Sequence, residues 1–277
     1  MTAPPKIVFL GRRLRVIPCH QAATLGYLYR NFIPALVQAS YRAIVPDHLG
    51  FGRSDKPDRP DLYRIPRHAS RLEALLDSLD LHEATFVVQD WGGPIGLNWA
   101  VRHPDRVRSL CILNTFAQRP TGPMNLPFAL HLFRTPSIGE VMVKGLHMFV
   151  KAVLFKVGVT HPERLDANAR AAYLAPHPDW ASRTGVLVFP REIPSGPDGA
   201  VSEFLGELEK GLAVFNDKPM LIVWAMQDPA FTPEVLETKW IPAFPRALGV
   251  RIADAGHYLQ EDAHEVIVPR LLELLRA

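Results

Sequence analysis

The sequence predicts an α/β domain with a mostly parallel central sheet, helices on both faces and an inserted helical cap. Three observations predict it. Strand-like and helix-like segments alternate through the first third of the chain, the alternation stops between Thr115 and about Asn216, and it resumes from Pro219 to the C-terminus. The expected division is a main domain of residues 1–115 and 217–277 and a helical cap of 116–216.

Taken in order, Leu14–Cys19 reads as a strand and Tyr27–Gln38 has helical spacing with an apolar face. Tyr41–Pro46 is a second short buried strand, followed by the turn-rich Asp47–Lys56. Arg67–Leu79 is an amphipathic helix, Ala84–Gln89 a β-branched strand, Gly92–Arg102 a helix stopping before Pro104, and Val107–Leu113 another strand. The middle of the chain holds apolar helical stretches such as Gly139–Phe155 between proline-broken segments. Beyond it come the strand Pro219–Trp224, the helix Pro233–Trp240, the strand Gly249–Ala253 and a terminal helix Val266–Leu275.

Composition narrows the function classes. The 277 residues are 48% hydrophobic and 21% charged, a globular balance with material for a substantial core. A net charge of +3, with Lys and Arg spread among Asp and Glu, gives no basic stripe for nucleic acid. Cys19 and Cys111 sit in or at the end of strands and read as small core hydrophobes, so thiolate metal ligation has no support. The apolar patch Ile7–Leu10 is too short for a signal sequence, and no run approaches a membrane span, so a cytoplasmic setting is expected.

The chemistry concentrates at Gln89-Asp90-Trp91-Gly92-Gly93, between a strand and a helix. A sharp strand-to-helix turn with small residues after it is the layout of a nucleophile elbow in an α/β-hydrolase fold. The helix N-terminus holds a carboxylate ionised and aimed, and the Trp91 backbone N–H is placed for half of an oxyanion hole. Alone, Asp-x-Gly-Gly also describes an ordinary helix N-cap. The serine version of the motif occurs nowhere in the chain, and Val88 fills its first glycine position, so Asp90 is the candidate nucleophile.

In this fold the triad runs nucleophile, acid, histidine along the chain. Asp228 follows the strand ending at Trp224, and His257 follows the strand ending at Ala253. Parallel strands all end on one side, which brings both to the edge that carries Asp90. His257 is the candidate base and Asp228 its partner; Asp254 competes for the acid's role but reads as a turn residue. The spacing of His257 and His264 is not that of metal ligands, so neither a metal nor a cofactor is expected.

The segments 46–57 (PDHLGFGRSDKP), 88–94 (VQDWGGP), 223–228 (VWAMQD) and 254–258 (DAGHY) resemble the motifs of haloalkane dehalogenases. The resemblance runs from about Gly26 to the C-terminus and is weakest in the cap. It implies that Asp90 displaces halide from a saturated carbon of a small apolar substrate, forming an alkyl ester, while the Trp91 indole N–H holds the departing halide. His257 then activates water against the ester, and Asp228 stabilises the imidazolium. Asn114, at the alternative position for the acid, is no carboxylate.

One stretch departs from the pattern. Where the family has His-Gly-x-Pro with a halide-binding Asn or Glu at x, this chain has His20-Gln21-Ala22-Ala23. Ala22 offers only a backbone N–H to the oxyanion hole, and Gln21 is the candidate substitute donor to halide. This leaves open a catalytically impaired α/β-hydrolase fold kept for binding. An epoxide hydrolase is the other alternative, although such enzymes usually use cap tyrosines and the cap has one, Tyr173. Trp180, Phe149, Phe155 and Phe189 are candidates for an apolar pocket or for cap core.

Overall fold

The computed structural model describes residues 7–10, 13–19, 26–123 and 126–277. Seven strands form one sheet: β1 (Ile7–Leu10), β2 (Arg13–Cys19), β3 (Tyr41–Pro46), β4 (Ala84–Asp90), β5 (Val107–Thr115), β6 (Met220–Ala225) and β7 (Leu248–Ile252), in the order β1-β3-β2-β4-β5-β6-β7. Every neighbouring pair is parallel except β1 with β3. This is the expected α/β class, with one strand that the sequence pattern did not reveal. Ile7–Leu10 was expected only as a short apolar patch, and it runs antiparallel along β3, with Ile7 opposite Pro46.

Central β4 and β6 are buried along their whole length, as continuous apolar runs covered by helices on both faces must be. Helix α1 (Ile33–Gln38) precedes β3, and α2 (Ile65–Ser78) precedes β4. Helix α2 buries Ile65, His68, Ala69, Leu72, Leu75 and Leu76, a stripe at helical spacing. Helix α3 (Gly92–Arg102) packs behind β4, and the terminal helix (His264–Arg276) buries Ile267, Val268, Leu271 and Leu275.

The single helix expected over Tyr27–Gln38 is two elements, a 3-10 turn at Gly26–Tyr29 and then α1. Pro34 is the reason: it lacks an N–H and fits only the first turn of a helix, so α1 must begin beside it.

Between β5 and β6 the chain is helical: α4 (Phe128–Arg134), wide-turned segments at Glu140–Gly145 and Phe149–Val157, α5 (Ala167–Leu174), α6 (Thr184–Glu192) and α7 (Ala200–Gly211). The stretch Gly139–Phe155, expected as one helix, breaks at His147, whose φ of 57° is left-handed.

Three carboxylates, Glu261 and Glu192 buried and Asp58 exposed, stitch this helical layer to the sheet domain. Glu261 takes both guanidinium nitrogens of Arg30, at 2.5 and 2.7 Å, and the Tyr173 hydroxyl. Glu192 accepts from the Ile65 N–H at 3.0 Å and pairs with Arg64 at 3.2 Å. Asp58 receives Lys144 at 2.8 Å and the Thr184 hydroxyl. Replacing Glu261 by Leu should cost about 3 kcal/mol, because it strands a half-buried guanidinium and a buried phenol. The melting midpoint should then fall by roughly 6–12 °C. An unchanged midpoint would mean that this anchor carries no stability.

Among the described residues, the same seam holds four buried histidines, His48, His68, His147 and His177. His68 is fully buried, neither of its ring nitrogens has a hydrogen-bond partner among the described residues, and it lies 4.8 Å from the Phe189 ring and 5.7 Å from His48. His177 packs 6.0 Å from Phe51 and 5.9 Å from His147. Burial holds His68 well below the usual histidine range and pushes His147 and His177 down to about 4.

Candidate active site

Asp90 ends β4 with φ at +49°, a conformation that L-residues adopt only where the surroundings impose it. Two contacts impose it here. The Thr115 hydroxyl donates to the Asp90 carbonyl at 2.5 Å, tying the turn to the neighbouring strand. Gly93 lies so close to β5 that an added Cβ would stand 2.0 Å from Thr115 Oγ1 and 3.0 Å from the Phe116 carbonyl oxygen. Only glycine lets α3 start there, so the small residue after the turn has a steric reason.

The Asp90 side chain is buried, and its Oδ2 has no hydrogen-bond partner among the described residues. Burial pushes its pKa up to about 6; the neighbouring His257 and the Trp91 backbone N–H pull against that rise, while Asp228 adds to it. The carboxylate is therefore ionised at neutral pH and poorly solvated, a state suited to attack on carbon.

His257 lies in the turn after β7, and Asp228 in the turn after β6. The His257 Nδ1 is 2.9 Å from Asp228 Oδ2. Asp228 Oδ1 accepts the backbone N–H groups of Ala230 (2.8 Å) and Phe231 (3.1 Å), which fix the carboxylate plane. Burial by itself would lower the imidazole pKa; the charge of Asp228, its hydrogen bond and the charge of Asp90 outweigh it and raise it. The turn itself is pinned by Asp262, which accepts the N–H groups of Gly256 at 2.8 Å, Thr160 at 3.0 Å and His161 at 3.0 Å. The candidate nucleophile, acid and base thus meet at the carboxyl edge of the sheet. Asp254 does not join them: its exposed carboxylate faces His161 at 3.5 Å.

Trp91 is buried and touches Phe116 edge-to-face at 4.9 Å and Phe189 of α6 at 6.2 Å. Phe116 stacks on Phe231 at 5.5 Å, and Phe231 on the His257 ring at 5.7 Å. An aromatic arc therefore runs from the cap layer to the base and makes an apolar setting for a carbon electrophile. Of the four aromatics read as candidates for an apolar pocket or for cap core, Phe189 belongs to this arc. Phe149 packs on Phe133 at 5.4 Å, Phe155 on Tyr173 at 6.4 Å, and Trp180 is half exposed at the surface. Gln21 and Ala22, expected opposite Trp91, lie outside the described residues.

Two residues contribute more than their sequence context suggested. Asn114, at the end of β5, donates to Asp228 Oδ2 at 3.0 Å and to the Ala225 carbonyl at 3.1 Å, and accepts the Ala225 N–H at 2.7 Å. It clamps the acid in place instead of supplying a second carboxylate. Gln89, beside the nucleophile, reaches the imidazole and backbone of His257. A polar residue directly after the apolar run 86–88, one position before the elbow, was the available signal for Gln89.

The pattern of the α/β hydrolase fold family matches residues 15–264. The chain is 37% identical to a cis-3-alkyl-4-alkyloxetan-2-one decarboxylase of Shewanella oneidensis, over 94% of this chain and 81% of that one. It is 33% identical to haloalkane dehalogenase 1 of Mycobacterium bovis, over 95% of this chain and 84% of the relative. Among solved structures, a variant of haloalkane dehalogenase DatA from Agrobacterium tumefaciens superposes with a TM-score of 0.87 at 28% identity, covering 98% of this chain and 92% of that one.

Proposed function

The chain belongs to the α/β hydrolase fold family, and from that membership and its haloalkane dehalogenase relatives we propose that it hydrolyses carbon–halogen bonds of small apolar haloalkanes. The observation that carries the reading is Asp90 Oδ2, buried without a partner at a strained elbow, beside a base that is itself held by a carboxylate.

In the first step an Asp90 oxygen attacks the carbon that bears the halogen. The carbon–halogen bond breaks, halide leaves beside the Trp91 indole, and an alkyl ester forms. In the second, His257 takes a proton from water through Nε2 while the water oxygen adds to the ester carbonyl. Collapse expels the alkoxide, which takes the proton back from His257 and leaves as the alcohol, and the carboxyl group left on Asp90, with one oxygen from water, gives its remaining proton to solvent to balance the halide. Asp228 stabilises the imidazolium between these events. No helix among the described residues is long and apolar enough to cross a membrane, and a cytoplasmic location fits this reading.

The Tyr173 hydroxyl is committed to Glu261 at the seam, so the cap tyrosine that an epoxide hydrolase would need is engaged elsewhere. A different second reading has a specific basis: the relative at 37% identity is a decarboxylase of oxetan-2-ones. The same carboxylate serves that chemistry. Asp90 would attack the ring carbon bearing the lactone oxygen, and the ring C–O bond would break to release a carboxylate. Loss of carbon dioxide would then form the alkene and expel Asp90, with no water consumed. Ala22, which lacks the donor side chain of the dehalogenase pattern, is compatible with a leaving group other than halide.

The test is halide release from 1-iodohexane and a panel of bromoalkanes, run beside alkene formation from a cis-3,4-dialkyl oxetan-2-one, with Asp90→Asn as control. Halide release that Asp90→Asn abolishes is expected. Alkene without halide would replace the first reading by the second.

A further inference from the structure

We propose that the Tyr258 hydroxyl is a substrate-binding donor, which takes an acceptor oxygen lying within a few bonds of the carbon that Asp90 attacks. This role rests on Asp90 being the nucleophile and narrows the substrate class to otherwise apolar molecules with an ether or carbonyl oxygen near the reacting carbon.

Tyr258 follows the candidate base in the turn after β7 and is fully buried. Its backbone N–H donates to the Gly158 carbonyl at 2.8 Å, and its ring lies edge-to-face with the His257 ring at 4.9 Å. Gly158 leaves room for that ring: an added Cβ there would stand 2.5 Å from the ring carbons Cδ2 and Cε2. The backbone bond, the glycine and the imidazole together fix where the ring lies. At its far end the hydroxyl has no hydrogen-bond partner among the described residues. Burying a hydroxyl without a partner is costly, and such a group marks a place where something else completes the bond.

Asp90 Oδ2 is in the same state, buried and without a partner among the described residues, and it is the atom that must meet the substrate. The two atoms do not bond each other. A substrate that spans them satisfies both, its carbon at Asp90 and its oxygen at Tyr258. Burial and the charges of Asp90 and Asp228 hold the phenol well above its ordinary range, so it keeps its proton and has an O–H to give. The rings of the aromatic arc, Phe116, Phe189 and Phe231, carry no polar atom to receive it. The acceptor then comes with the substrate. An ether or carbonyl oxygen accepts such a bond and a methylene does not, and a site with a buried donor selects against the analogue that leaves it unpaired. The oxetan-2-one of the second reading carries its acceptor on the reacting ring itself.

The test compares 1-bromobutane with 2-bromoethyl methyl ether, in which an oxygen replaces one methylene and the shape is kept. The kcat/KM for halide release is measured for both in the wild type and in Tyr258→Phe. The intrinsic reactivities of the two bromides cancel when the proteins are compared. Loss of the hydroxyl should lower the ether's kcat/KM about fivefold to tenfold relative to that of bromobutane. A ratio that the substitution leaves unchanged would overturn the proposal, the hydroxyl then holding only water. Calorimetric binding of the same pair to Asp90→Asn, with and without Tyr258→Phe, needs no turnover and should show the same loss for the ether alone. The melting midpoint separates substrate binding from a structural role. Removing a hydroxyl with no partner in the protein should leave it unchanged or raised, and a fall of more than about 3 °C would show the group bonded within the fold and overturn the proposal. Failure of the wild type to release halide from either bromide would instead defeat the dehalogenase reading, and the binding arm would still decide the role of Tyr258.

Discussion

With His257 replaced by Phe, halide should appear as one burst of about one equivalent per protein and then stop. The first step needs an ionised carboxylate and no base, and Asp90, pushed up to about 6 by burial, is largely ionised at pH 7. The second step needs a proton acceptor on water, and removing a general base costs roughly 10²–10⁴ in rate. The ester should therefore persist, and mass spectrometry should find one alkyl group on the peptide containing Asp90. The burst itself should fade as pH falls, starting at a higher pH than wild-type Asp90 would set, because the Phe variant lacks the His257 charge that pulls the Asp90 pKa down and protonated Asp90 is no nucleophile. Multiple turnover at near wild-type rate in the Phe variant would exclude His257 as the base. The oxetanone reading gives the contrary result, since its second step uses no water and would continue without His257.

Stability should fall steeply between about pH 6.5 and 5. In the folded chain His68 stands well below its ordinary value, and His147 and His177 stand near 4, all through burial. Unfolded, each titrates near 6.5. As pH falls through 6.5 the unfolded chain takes up protons that the folded chain refuses, so stability is lost with falling pH. Three such groups would remove on the order of 4 kcal/mol per pH unit. Asp90 and Glu192, both raised by burial, work in the opposite sense and offset part of this. A net uptake of roughly two protons remains, about 2–3 kcal/mol per unit. Urea titrations at half-unit steps measure this slope directly, and His68→Phe should flatten it while raising stability at pH 6. A free energy constant from pH 6.5 to 5 would show that the seam histidines are hydrated in solution.

Much of this was legible beforehand because it is local. The elbow residues Asp90 and Gly93, the late strands and the turns holding Asp228 and His257 each follow from short runs of sequence and from the rule that parallel strands end on one side. What was not legible depends on partners far along the chain. Four residues at Ile7–Leu10 become a strand only because β3 offers an edge. Asn114 and Gln89 acquire roles through residues more than a hundred positions away. The break at His147 and the exposure of Trp180 follow from how the cap helices pack, which periodicity alone does not encode. Tyr173 was a candidate acid by residue type, and its commitment to Glu261 shows only in three dimensions.

Nucleophile and base have unequal shelter. Asp90 leaves the middle strand of seven, wholly buried, whereas His257 follows β7, an edge strand of five residues whose Leu248 is half exposed. The rim of a sheet opens locally at lower free energy than its centre. Warming should then release the base while the carboxylate stays in place. The species first lost to heat would be a folded, single-use alkyl acceptor, and loss of turnover would run ahead of loss of structure.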